Sequence, residues 1–452
     1  MIIYIDLLLN KLLKYRQSLG LSFFFFGAPI IYFLRDGLKL APNSTAFTAV
    51  LTIGSLLLAF PLTIKKLYQT NTLGYLLCIA YSIIAIFYLA TYAPNRGWFT
   101  NTTVEAVYQA LILLSMFIFA GTSINTLKNN FLLFSLIICL IGGLSLLYYI
   151  LRNPLYVIGM RASISFGGDD AVSSMGNPHI YAKSAYCGVV AGIILLKDEK
   201  RLLWRLFYIG SVLLLLLVVA LCQAMAIILI TGLFFFFYYL TNINAHNIYK
   251  GLKWVFGWQG ILLFFLACGG IYYLWEHTRF NEYFINVSSI ITDRIERIVT
   301  SLTDTKTAST VKLAGDDSAS TRVTNITNLF KSINERLEDG DWLTVIFGNG
   351  YHHKYIDSPI FQTLNDLGII GFVVFTLIHI ILLIWVFKEI FNPTCNFTLF
   401  TAYVFLVTVI QNFTMGMPYD YQRWTAIIFV ARFALNYKRV PVIKAPKAAL
   451  TT

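Results

Sequence analysis

The chain reads as an all-α integral membrane protein with about twelve transmembrane helices and one long loop. Three observations predict this. Hydrophobic residues make up 58% of the 452 positions and charged ones only 12%, well outside ordinary soluble composition. The mean hydropathy is +0.70. A bilayer core of about 30 Å needs roughly 20 apolar residues per helix, and runs of that kind recur along nearly the whole sequence.

Taken in order, the first span (18–34) follows Lys11, Lys14 and Arg16 without a small-residue cleavage site, so it is expected to anchor the chain and not to be removed. The second (47–64) stops at Lys65-Lys66, and the third and fourth (73–92, 104–121) flank Arg96. The fifth (130–150) starts after Lys128 and the sixth (178–196) runs from Pro178 to Lys197. The seventh and eighth (203–220, 223–240) form one apolar run that is too long for a single tilted helix, with the break expected near Cys222-Gln223. The ninth (254–275) follows Lys250 and Lys253; the last three fall at 369–390, 397–412 and 422–437, ending at Lys438-Arg439.

Lysine and arginine excess marks cytoplasmic loops. Lys11, Lys14, Arg16, Lys65, Lys66, Lys128, Lys197, Lys200, Arg201, Arg205, Lys250, Lys253, Lys388, Lys438, Arg439, Lys444 and Lys447 fall in one set of alternate loops, while the other short loops carry only Arg35, Lys39, Arg96, Arg152, Arg161 and Arg423. Both termini are therefore expected in the cytoplasm and the segment 276–367 on the opposite side. The chain divides into 1–275 with nine spans, the loop 276–367, and 368–452 with three spans and a tail. Within the loop, Val287, Ile290, Ile291, Ile295, Ile298, Val299 and Leu302 repeat at helical spacing opposite Asp293, Arg294, Glu296 and Arg297, and a second amphipathic helix follows Arg322 through Ile326, Leu329, Phe330, Ile333 and Leu337. The Thr/Ser/Asp stretch 303–321 between them reads as flexible. The net charge of +12 lies in short clusters between apolar runs, which argues against nucleic acid as a partner. All six cysteines sit in or beside apolar segments, so disulfides and zinc sites are not expected.

Before the tenth span the chain reads Phe347-Gly348-Asn349-Gly350-Tyr351-His352-His353, then Asp357-Ser358-Pro359 and Gly368-Ile369-Ile370-Gly371. Ser320 and Arg322 open the second loop helix, and Arg161 precedes Gly176-Asn177-Pro178 and Ala182. Over residues 155–375 this resembles the O-antigen polymerase and O-antigen ligase family of integral membrane glycosyltransferases. Two departures stand out. The His-Asn pair usual in ligases is Asp357-Ser358 here, which favours a polymerase, and the family's Ser-Arg-Gly at the eighth span is Cys222-Gln223-Ala224.

The resemblance implies a GT-C-like fold in a bacterial inner membrane, joining undecaprenyl-diphosphate-linked oligosaccharide repeats at the periplasmic face by metal-independent transfer with inversion. It also implies no cofactor, and as partners the lipid-linked oligosaccharide, membrane lipid and a chain-length regulator protein. The nearest alternative is a ligase moving polysaccharide to lipid A core; a different class is a transporter or lipid-oligosaccharide flippase, for which internal repeats and midplane charges would be expected.

The chemistry selects residues by type. A departing diphosphate gains negative charge, and arginine's planar fork binds phosphate oxygens bidentately; Arg161 and Arg322 are the candidates, with Lys183 and Arg423 as further cations on the same side. The acceptor hydroxyl needs a proton acceptor, for which Asp357 is favoured, then His353 and His352. Asn177, Tyr351 and Asp420 complete the expected diphosphate and sugar contacts. No carboxylate cluster of divalent-metal type is visible. Plainer roles stand beside these: Asp357-Ser358-Pro359 also fits a helix N-cap with an early proline, Arg322 a surface pair, His352, His353 and His179 solvated loop residues, His379 a neutral interhelical bond, Lys183 a snorkelling lysine, and the tyrosines around Asp420 an interfacial belt.

Overall fold

A computed structural model describes residues 15–61, 73–91, 102–128, 130–154, 156, 160–164, 177–242, 257–277 and 317–435, with isolated positions between 281 and 296. Among them the regular structure is entirely helical. The helices are α1 (Tyr15–Phe26) and α2 (Ala28–Gly37), bent 67° from one another, then α3 (Thr45–Ala59), α4 (Leu73–Thr91), α5 (Thr102–Gly121), α6 (Phe131–Arg152), α7 (Pro178–Asp198), α8 (Leu202–Cys222), α9 (Met225–Asn242) and α10 (Trp258–His277). After the loop come α11 (Asp317–Glu338), α12 (Trp342–Phe347), α13 (Pro359–Phe391), α14 (Asn396–Thr414) and α15 (Tyr421–Leu435).

Eight of these helices are long and apolar enough to cross a membrane, and nine if the bent α1–α2 pair is one span. That is fewer than the twelve expected. One of the other expected spans, α3, has 15 residues, short of the roughly 20 that a bilayer core requires, and α15 is described over 15 residues up to Leu435, where the described residues end. Pro29 accounts for the α1–α2 bend, since proline cannot continue the hydrogen-bond ladder of α1. The long apolar run breaks at Gln223, whose backbone turns left-handed (φ 49°) between α8 and α9.

α14 and α7 are the central helices: 72% and 67% of their apolar windows are enclosed, against 22% for α9. α7 reaches the centre because it is lined with small residues. A Cβ on Gly188 would stand 2.6 Å from a Leu215 methyl and 2.7 Å from the Cys139 Cβ, so the Cys139 side chain of α6 and the Leu215 side chain of α8 pack directly on the α7 backbone. A second core of phenylalanines, Phe25, Phe131, Phe397 and Phe429, joins α1, α6, α14 and α15 through edge and stacked contacts.

The tenth span differs from its expected start at 369. α13 begins at Pro359 and kinks at Gly368 (φ 63°), so the last part of the expected loop is a half-helix, Pro359–Leu367, entering the bundle. The second amphipathic loop helix is present as α11, and it contains Arg322. Most of the first, over 287–302, with the stretch 303–316 and both termini, lies outside the described residues.

Candidate active site

The site is built on a backbone-to-backbone contact. Gly348 (φ 81°) ends α12 and faces Gly368 in the α13 kink; a Cβ on Gly348 would lie 2.4 Å from the Asp366 carbonyl oxygen, and one on Gly368 2.3 Å from that of Ile346. With no side chain in the way, the Asn349 and Gly350 N–H groups each donate at 3.0 Å, to the carbonyls of Asn365 and Asp366. The Asp366 carboxylate, fully buried, accepts from Gln362 Nε2 (2.8 Å), Asn365 Nδ2 (2.7 Å), the His352 N–H (3.1 Å) and the Tyr419 hydroxyl (3.4 Å). Gln362 also accepts from the Ile356 N–H at 2.7 Å, so segment 351–357 is fixed from below.

Asp357 stands at the end of that segment with a left-handed backbone (φ 58°). Its Oδ2 accepts from Arg322 Nε at 2.7 Å, and its Oδ1 from the Tyr355 hydroxyl at 2.5 Å and the Gly416 N–H at 2.9 Å. One carboxylate thus ties α11, the α12–α13 connection and the α14–α15 loop together. The pair keeps partial access to solvent, with side-chain exposures of 25% for Arg322 and 20% for Asp357. Burial, then the bond to Asp357, pushes the Tyr355 hydroxyl above its ordinary 10.0, so it is a donor to the carboxylate at any ordinary pH. The helix cap is elsewhere: Ser358 occupies the N-cap of α13, and its hydroxyl donates to the Asn412 carbonyl (3.1 Å) instead of capping.

Beyond Gly416 lies Arg423, buried in α15. It donates through Nη1 to Asn412 Oδ1 (2.5 Å) and through Nη2 to the Met415 carbonyl (2.8 Å), while Nε has no partner. Asp420 caps α15 by accepting the Gln422 N–H at 3.0 Å. Lys183, half-buried on α7, lies within electrostatic range of both Asp420 and Arg423, and Arg423 within range of Asp357. Five expected site residues, Arg322, Asp357, Asp420, Arg423 and Lys183, from three helices and two loops, therefore gather at one end of the bundle. Arg161 stands at the α8–α9 break, its Nη2 3.5 Å from the Gln223 carbonyl and its Nε buried without a partner.

Three expected contacts have other surroundings. Tyr351 is fully buried: its hydroxyl donates to Glu105 at 2.9 Å, accepts from Gln109 at 3.2 Å, and its ring stacks on Tyr419 at 4.0 Å. His352, expected as a solvated loop residue, is 1% exposed, with Nε2 3.6 Å from Glu105. Neither side chain reaches the surface, because the Gly348–Gly368 contact pulls this turn into the bundle. Asn177 caps α7 by accepting the His179 N–H at 3.1 Å. His353 is half-buried in the same turn as His352, and His379 Nδ1 bonds the Phe375 carbonyl of its own helix (2.7 Å), not a neighbour.

Sequence reasoning missed Glu105, Gln109, Gln362 and Asp366, which form the polar floor. Glu105 and Asp366 carried a signal: each is an acid set in or next to an apolar span, which marks function or a buried network. Among the described residues no three His, Cys, Asp or Glu side chains are grouped to hold a metal ion. Compared with known proteins, the chain matches no protein-family model and no curated sequence. The functional assignment therefore rests on residues and geometry.

Proposed function

We propose that this chain is an integral membrane glycosyltransferase that polymerises polyprenyl-diphosphate-linked oligosaccharide repeats on the non-cytoplasmic face of a bacterial inner membrane, with both termini in the cytoplasm and twelve spans. The observation that carries this reading is the convergence of Arg322, Asp357, Arg423, Asp420 and Lys183 at one end of a membrane bundle, on the side that the loop charges assign to the periplasm.

In this mechanism an acceptor hydroxyl attacks the anomeric carbon of the donor sugar from the face opposite the diphosphate. A C–O bond forms, the bond from that carbon to the phosphate oxygen breaks with inversion, and the electron pair leaves on the diphosphate. Arg322 and Arg161 stabilise the charge that develops there through bidentate donors. Asp357 takes the acceptor proton once Arg322 turns from carboxylate to phosphate, which frees Oδ2. Lys183 and Arg423 hold the site positive, and no metal ion is required.

The test is a reconstitution of the purified chain with lipid-diphosphate-linked repeats alone, and in parallel with lipid A core as acceptor. A ladder of polymer from repeats alone supports a polymerase. Transfer only when lipid A core is present converts the assignment to a ligase, and no glycosidic bond in either arm removes the transferase reading.

A further inference from the structure

α12 leaves a turn of exposed polar residues, Glu338 to Asp341, and carries Trp342, Leu343 and Phe347 at 60%, 70% and 49% exposure. At about 100° per residue these three and the half-buried Ile346 fall within roughly 140° of one helix face, while Val345 points away from them and is buried. Asp341 caps the helix, accepting the Thr344 N–H at 3.3 Å and the Thr344 hydroxyl at 2.9 Å. A helix of 6 residues is too short to hold by propensity alone, and a contiguous apolar face turned to water marks a contact surface.

The surroundings say what covers it. Gly348, directly after Phe347, packs against Gly368, and the exposed apolar residues Ile369, Ile370 and Val373 of α13 begin directly after Gly368. Tyr88 of α4 reaches the same point: its hydroxyl donates to the Phe347 carbonyl, next to Phe87 and one turn beyond Ile83, both exposed. α4 and α13 are two of the helices long and apolar enough to cross a membrane, and outward apolar side chains on such helices meet acyl chains. The apolar face of α12 therefore continues the lipid-facing surface of α4 and α13 at its rim. Trp342 stands beside the acidic turn, the placement that an interfacial tryptophan takes.

We infer that α12 is an interfacial helix whose face of Trp342, Leu343 and Phe347 lies in the adjoining leaflet, at the boundary of headgroups and acyl chains. The occupant is the bilayer's own phospholipid. Helices of this kind bury their apolar face about 5–10 Å into that boundary. Because α12 ends at the Gly348–Gly368 contact, the leaflet also sets the depth of the segment that leads to Asp357, which stands at headgroup level. The inference goes beyond the transferase reading and does not depend on it, and it moves this part of the long loop from water into the membrane surface.

Trp342 supplies the probe. The full-length protein and Trp342→Phe are each reconstituted in phosphatidylcholine nanodiscs, with and without bromine on an upper acyl carbon, and the difference between the two proteins' emission isolates Trp342. The expected difference spectrum is blue-shifted, lost in the brominated lipid and insensitive to aqueous iodide. Emission quenched by iodide and untouched by bromine puts the face in water and overturns the inference. Emission protected from both puts it against protein, such as a second copy of the chain, and overturns it too. A benzophenone side chain introduced in place of Leu343 gives a second measurement that keeps Trp342 intact. Phospholipid adducts at that position support the leaflet, and adducts to protein alone contradict it.

Discussion

Asp357 occupies a left-handed backbone conformation that asparagine shares with aspartate at little cost. Asp357→Asn therefore tests the carboxylate without straining the chain. The amide can still accept from Gly416 and Tyr355 but presents N–H to Arg322, so the ion pair is lost. For a partly exposed pair that costs about 1 kcal/mol or less, whereas loss of a proton acceptor lowers polymer by about a hundredfold or more. The expected result is a missing ladder at a nearly unchanged melting temperature, with His353→Gln close to wild type; the reverse pattern would move the proton acceptor to His353. Tyr355 sets a pH expectation. Its pKa is raised, so the neutral, donating form persists past its ordinary 10.0, and rates measured from pH 6 to 9 should show no step that Tyr355→Phe removes. Arg322 and Asp357 were both legible as candidates from their types and motif positions. Their pairing was not, because it joins positions 35 apart through a long loop.

At the scale of elements, the Gly348–Gly368 contact holds the site together. An alanine at either position places Cβ within 2.4 Å of backbone atoms and adds the left-handed penalty of about 1–2 kcal/mol. Gly348→Ala and Gly368→Ala should each lower the melting temperature by several degrees, and together by less than the sum, since both disrupt one contact; unchanged melting in either would show that the contact is not structural. The helices at the expected spans and the break at Gln223 were readable from apolar run length and flanking charge. The early start of α13 was hidden because Gln362, Asn365 and Asp366 lower the local hydropathy and look like loop. They are buried instead, each bonded within the polar floor. Tyr351 and His352 were misplaced for the same reason, since neither glycine's close approach is encoded in composition.

For the whole molecule, loop charge predicts that tags at both termini and at residue 198 report the cytoplasm and a tag at residue 310 the opposite side. A cytoplasmic residue 310 would put α11 and Arg322 on the wrong side for a periplasmic donor. Transfer should also survive EDTA, because the proposed mechanism meets phosphate charge with arginines; activity lost in EDTA and restored by magnesium would reject that substitution. The most direct test of the charged end as a transfer site is polymer length from purified wild type and Arg322→Lys, each supplied with lipid-diphosphate-linked repeats. Lysine keeps the charge but lacks the planar fork, and loss of such a transition-state donor costs on the order of a hundredfold. A full ladder from the wild type and almost none from folded Arg322→Lys is the predicted result; equal ladders from both would contradict it.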